Sequence, residues 1–91
     1  MTASILGWSH TPFGKHEGAD AESLIAQVAV QACHDAGIEP ADVDEIVLGT
    51  FGEGFQPQGF PASLVLQADA AFRFKPATHL ENACATGSAA L

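Results

Sequence analysis

The sequence predicts an α/β domain in which parallel strands alternate with helices. Three observations carry this expectation. Short apolar runs of β-forming character recur at residues 3–8, 45–50 and 77–81. A long amphipathic stretch separates the first two, and an almost wholly apolar stretch separates the second and third. The connections are short, and such alternation favours parallel strands with right-handed crossovers. The predicted order is βαβαβ followed by the start of a third helix, with the carboxyl ends of the strands forming the functional edge.

The first run, Ala-Ser-Ile-Leu-Gly-Trp, is apolar and leads into Ser9, His10, Thr11, Pro12, Phe13 and Gly14. It is expected to be a buried strand entering a loop. The loop holds His10 and His16 beside Glu17 and Asp20. These residues lack the spacing of convergent metal ligands, so no metal site is expected and the histidines are assigned to a solvated loop.

Asp20 is suited to cap a helix whose apolar stripe is Ala21, Leu24, Ile25, Val28, Ala29, Ala32 and Ala36. Gly37 falls where a left-handed residue ends a helix, Ile38 can pack back, and Pro40 prevents continuation. Cys33 lies beside the stripe and His34 on the polar side, and both are assigned structural places. Residues 39–44 form an acidic connector. The second strand, 45–50, is nearly all apolar, as in a sheet covered on both faces.

Residues 51–59 are glycine-rich but lack the Lys-Ser/Thr ending of a phosphate-binding loop and match no dinucleotide fingerprint. They are read as a flexible loop bordering a site or a partner subunit. Pro61 suits the first turn of a second helix, and Ala62, Leu64, Val65, Leu66, Ala68 and Ala71 make it apolar nearly all round, the pattern of a buried helix. Residues 72–76 (Phe-Arg-Phe-Lys-Pro) break it before the third strand.

Ninety-one residues with 47% hydrophobic and 15% charged side chains carry more apolar surface than a small domain can bury, so further protein is expected to cover it. The chain is therefore expected to be part of a larger unit. The net charge of −8, with Lys15, Arg73 and Lys75 as the only Lys and Arg, argues against nucleic acid and anionic membrane as partners. No apolar run is long enough to span a bilayer. Two cysteines, Cys33 and Cys84, make no disulfide framework, and a reducing, cytoplasmic location is expected.

Chemistry concentrates at residues 81–89, Glu-Asn-Ala-Cys-Ala-Thr-Gly-Ser-Ala. Cys84 is expected to begin the third helix, directly after a strand. Such a corner offers unpaired backbone N–H groups and a positive dipole end, which favour an anionic sulfur or an oxyanion. A thiolate there is a nucleophile. The alternative is a free cysteine packed as a small hydrophobe. His79 is too local on an extended strand to be taken as its base.

The segment Glu81-Asn-Ala-Cys84-Ala-Thr-Gly-Ser88 resembles the nucleophile segment of the thiolase family, in the form of its sterol-carrier-protein-like and acetyl-CoA acetyltransferase branch. Residues 5–15 resemble the start of a thiolase chain, and 44–50 its second strand. The resemblance implies that residues 1–91 are a partial N-terminal thiolase domain without the catalytic C-terminal half. It implies an acyltransferase that forms or cleaves C–C bonds of acyl-CoA thioesters. Cys84 would be the acylated nucleophile, and its backbone N–H would belong to an oxyanion hole.

No bound cofactor is implied; a CoA thioester such as acetyl-CoA is the substrate, and the residues that hold CoA are not identified. The general base, a histidine and a second cysteine would come from elsewhere, and His10, His16, His34 and His79 match no catalytic motif of the family. Glu81 and Ser88 stand where degradative thiolases carry Asn and Met, which points away from thiolysis. The resemblance also implies a homodimer or higher oligomer and a zinc-ribbon/OB-fold partner protein. Two alternatives stay open: a thiolase-like aldolase acting on CoA thioesters, and a non-catalytic assembly subunit in which Cys84 is structural.

Overall fold

The computed structural model describes residues 2–51 and 61–91. Its longest element is helix α1, Ala21–Ala36, and its ends follow from the sequence. The Asp20 carboxylate accepts the Ser23 N–H at 2.8 Å, and the Asp20 N–H donates to Ser23 Oγ at 3.0 Å, a reciprocal cap. Gly37, at φ 71°, closes the other end by donating its N–H to carbonyls of the last turn. The face that meets the core is the line Ile25, Ala29 and Cys33, so Cys33, placed beside the stripe by the sequence pattern, is at its centre. Leu24 and Val28 turn instead toward the N-terminal segment, where they line a groove with Trp8, His10 and Phe13.

Strand β1, Ile46–Gly49, pairs in parallel with β2, Ala77–Leu80, in a register that sets Ile46 opposite Ala77 and Gly49 opposite Leu80. The α/β architecture with parallel strands is therefore present, with two of the three expected strands. The third, at residues 3–8, does not form: Ile5, Leu6 and Trp8 are 76%, 72% and 66% exposed and no strand pairs with them among the described residues. This segment follows α1 instead. Gly7 backs onto Ala36, where an added Cβ would come within 2.5 Å of the Ala36 nitrogen. The Trp8 N–H donates to the Asp35 carboxylate at 3.0 Å, and Ser9 Oγ to Gln31 Oε1 at 2.9 Å. The Asp35 side chain of α1 thus satisfies a backbone N–H, that of Trp8, which a strand would have offered to a ladder.

Residues 61–72 bury Pro61, Ala62, Val65 and Phe72 and leave the rest partly or fully exposed, and they form 3₁₀ turns, Pro61–Gln67 and Ala70–Phe72, in place of one buried α-helix. Asp69 interrupts them. Its backbone is extended and its carboxylate accepts the Ala71 N–H at 2.8 Å, which caps a new turn where a continuous helix would have run through. The first of these turns packs between α1 and the strands. The core is Cys33, Ile46, Val65 and Phe72, with Ile38, Val43, Leu48, Leu66 and Ala77 around it. The glycine-rich loop reading falls almost wholly on residues 52–60, outside the described residues. Among the described residues no helix is long and apolar enough to cross a membrane.

Candidate functional site

Because β1 and β2 are parallel, both present their carboxyl ends at one edge, and the chain leaves β2 there. Glu81 and Asn82 lead into a 3₁₀ turn, Ala83–Ala85, followed by helix α2, Thr86–Ala90. Cys84 sits inside this turn, one step before the α-helix that it was expected to begin. Its side chain is exposed and its thiol is free. It does not pack into the core formed by the described residues.

The corner is held by a small set of bonds. Thr86, 8% exposed, is the buried polar side chain among the described residues. Its hydroxyl donates to the Ala83 carbonyl at 2.7 Å and accepts the Asn82 N–H at 2.8 Å. The Glu81 carboxylate accepts the Ala83 N–H at 2.6 Å, and the Ala85 N–H donates to the Asn82 carbonyl at 2.8 Å. None of these bonds takes the Cys84 N–H.

Ala83, directly before the cysteine, is at φ 45°. The left-handed region costs an L-residue roughly 1–2 kcal/mol through crowding of its Cβ. The Thr86 and Glu81 bonds on either side of the residue offset that cost. Beneath them, α2 lies against β1 and β2, and the Thr86 methyl group lies over Gly49.

His79 is half-buried on β2, and its Nε2 is 2.6 Å from Thr50 Oγ1, so this histidine is engaged with the end of β1. His10 Nδ1 donates to the Thr11 carbonyl and His16 Nε2 to the Pro12 carbonyl, both within the N-terminal segment. His10 also stacks on Trp8, with ring centroids 5.1 Å apart. The groove there, about 740 Å³, is lined by residues of that segment and α1 and includes neither cysteine. The other cysteine has the opposite character: burial pushes the Cys33 thiol up, and the carboxylates of Asp42, Asp69 and Glu39 add to the shift.

The sequence located Cys84 and the carboxyl edge but missed what holds them. Thr86 in the turn after the cysteine is a residue type that bonds nearby backbone, a signal that was available. Gly49 at the end of a strand is another, since glycine there marks close approach of another backbone or side chain. Nothing in the residue type marks Ala83, which adopts its conformation against its own preference.

The family profile described as "Thiolase, N-terminal domain" matches residues 3–91. A protein of Methanocaldococcus jannaschii named acetyl-CoA acetyltransferase is 38% identical over 89 residues, which cover 97% of this chain and 22% of that protein. One of the same name from Methanothermobacter thermautotrophicus is 31% identical over 88 residues, covering 97% of this chain and 23% of the relative. The chain thus spans less than a quarter of the length of these relatives.

Proposed function

The chain belongs to the thiolase family, whose N-terminal domain profile it matches, and on that premise we propose that it is the nucleophile-bearing part of a longer acyltransferase acting on acetyl-CoA or a related acyl-CoA thioester. The observation that carries the proposal is the exposed Cys84 in a turn at the carboxyl edge of the parallel strands, with its own N–H outside the turn's hydrogen bonds.

In this reading the Cys84 thiol gives its proton to a base contributed by another part of the full-length protein. The sulfur attacks the thioester carbonyl carbon, a new C–S bond forms, and the bond to the CoA sulfur breaks as CoA takes up a proton. Cysteine suits both halves of the reaction, since sulfur attacks well and leaves well. The carbonyl oxygen becomes an oxyanion in the tetrahedral intermediate, and the Cys84 N–H is the donor that this chain supplies. A base from elsewhere in the full-length protein then takes a proton from the α-carbon of a second CoA thioester. That carbon attacks the acyl carbonyl, a C–C bond forms as the C–S bond to Cys84 breaks, and the sulfur takes up a proton to restore the thiol. Glu81 and Ser88 stand in place of the Asn and Met of degradative thiolases, which speaks against thiolysis.

Two further proposals follow from the family. The full-length protein is a homodimer or higher oligomer, and a zinc-ribbon/OB-fold protein is its partner. A light-scattering mass equal to one full-length chain at micromolar concentration contradicts the first. Copurification without such a protein, at full activity, contradicts the second.

Cys84→Ala in the full-length protein tests the main proposal. Acetyl-CoA-dependent C–C bond formation is expected to vanish while the fold, followed by circular dichroism, is retained. Normal turnover in this variant overturns the assignment.

A further inference from the structure

We propose that Thr86 is a positioning residue for the nucleophile: its hydroxyl holds the left-handed Ala83 corner that sets the direction of Cys84. The inference rests on the reading of Cys84 as the acylated residue and deepens it.

Two independent features place Thr86 in this role. Its single hydroxyl serves both residues before the cysteine, accepting from Asn82 N–H at 2.8 Å and donating to Ala83 C=O at 2.7 Å. Those two bonds bracket the one strained residue of the corner, at φ 45°. A residue in a sparsely populated conformation persists when its surroundings over-determine it. Here the surroundings are this hydroxyl and the Glu81 carboxylate on the Ala83 N–H.

The second feature is the seat of Thr86 itself. It is buried, and an added Cβ on Gly49 would collide with its γ-methyl group. The methyl group therefore fixes the side chain to the end of β1, and the hydroxyl hands that fixed position on to the loop. Without the hydroxyl, the Asn82 N–H loses its partner and the Ala83 C=O keeps only the Thr86 backbone N–H, so Ala83 has less to hold it from relaxing to an ordinary φ. Such relaxation re-aims both the sulfur and the Cys84 N–H. Displacement of a reacting group by about 1 Å can lower a rate on the order of a hundredfold.

The two halves of the threonine side chain can be separated. Thr86→Val keeps the methyl group over Gly49 and removes the hydroxyl, whereas Thr86→Ser keeps the hydroxyl and removes the methyl. Rapid quenching of the full-length protein with acetyl-CoA, followed by peptide mass analysis, reads the rate at which Cys84 is acylated. Thr86→Val is expected to acylate roughly a hundredfold more slowly, with little change in the acetyl-CoA concentration that gives half-maximal rate. Thr86→Ser is expected to stay within a few-fold of the parent while melting at lower temperature. Should the valine variant not fold, Thr86→Ala tests the same hydroxyl loss without a branched group in the buried site.

Acylation of Thr86→Val at the parent rate overturns the proposal, as does a serine variant as slow as the valine one. Those results leave the nucleophile reading standing, because Cys84 is still acylated in the parent. A parent protein that turns over with no acyl group on Cys84 overturns both.

Discussion

The Thr86 methyl group fills the space that a side chain at Gly49 would need. Gly49 ends β1 and Thr86 begins α2, so this contact joins the last residue of one strand to the helix that follows the other. It sets how closely the cysteine corner seats on the sheet edge.

Gly49→Ala therefore forces Thr86 outward and disturbs its hydroxyl bonds with it. Overpacking of this kind costs about 1–3 kcal/mol. Chemical denaturation of the full-length protein measures the loss, and the variant is also expected to acylate more slowly. A variant as stable as the parent contradicts the contact.

The two cysteines should separate cleanly in a labelling experiment. Cys84 is exposed, whereas Cys33 is buried in the core and its thiol is pushed up by burial and by nearby carboxylates. A short pulse of iodoacetamide near neutral pH is expected to label Cys84 first, because thiolate access governs the rate. Cys33→Ala is expected to lower stability by about 1 kcal/mol and leave the chemistry in place. Label on Cys33 with Cys84 untouched would reverse the assignment.

Helix α1 was legible because its signals are local: Asp20 caps with its own neighbour, and Gly37 takes the left-handed angle that glycine permits. The paired strands were legible from their short β-forming runs, although the expected cover on both faces is absent in this chain: only Ile46 is buried, and Val47 and Thr78 are exposed. Residues 3–8 look alike in composition, but a strand also needs a partner ladder, and the polar contacts of Trp8 and Ser9 go to α1. In 61–72 the apolar content gave the burial of Pro61, Ala62, Val65 and Phe72 and overstated the rest. The break between the two turns depended on Asp69 turning its carboxylate onto the Ala71 N–H, a choice that periodicity does not encode. At the corner, Cys84 was readable from its neighbours. The Thr86 clamp was signalled only in part: the residue type marks a bond to nearby backbone, but its seat depends on a tertiary contact with Gly49.

Asp20 makes the α1 cap pH-sensitive. Its hydrogen bonds with Ser23 hold its carboxyl below the ordinary aspartate value. A depressed carboxyl contributes stability that is fully present above its unfolded pKa and is lost as pH falls through the folded value. Asp20→Ala is expected to destabilise the protein at pH 7, and the difference from the parent should shrink as pH is lowered below 3.8. An effect that stays constant across that range contradicts the ionised cap.

The 91-residue chain on its own should fold poorly. Phe13 and Phe74 are fully exposed, Ile5, Leu6, Trp8 and Phe51 mostly so, and the compact core rests on Cys33, Ile46, Val65 and Phe72. The isolated chain is expected to bind a hydrophobic dye and to melt over a broad range, as loosely packed chains do. A sharp, concentration-independent thermal transition would show instead that it is a self-sufficient unit.

The most direct test of the central claim is the chemical identity of the acylated residue. Full-length protein mixed with acetyl-CoA, quenched in acid before turnover is complete, and digested for mass analysis should carry one acetyl group on the peptide containing Cys84 and none on that containing Cys33. Addition of a thiol should discharge it, as expected of a thioester. An acetyl group on any other residue, or active turnover with Cys84 unmodified at every time point, would contradict the account.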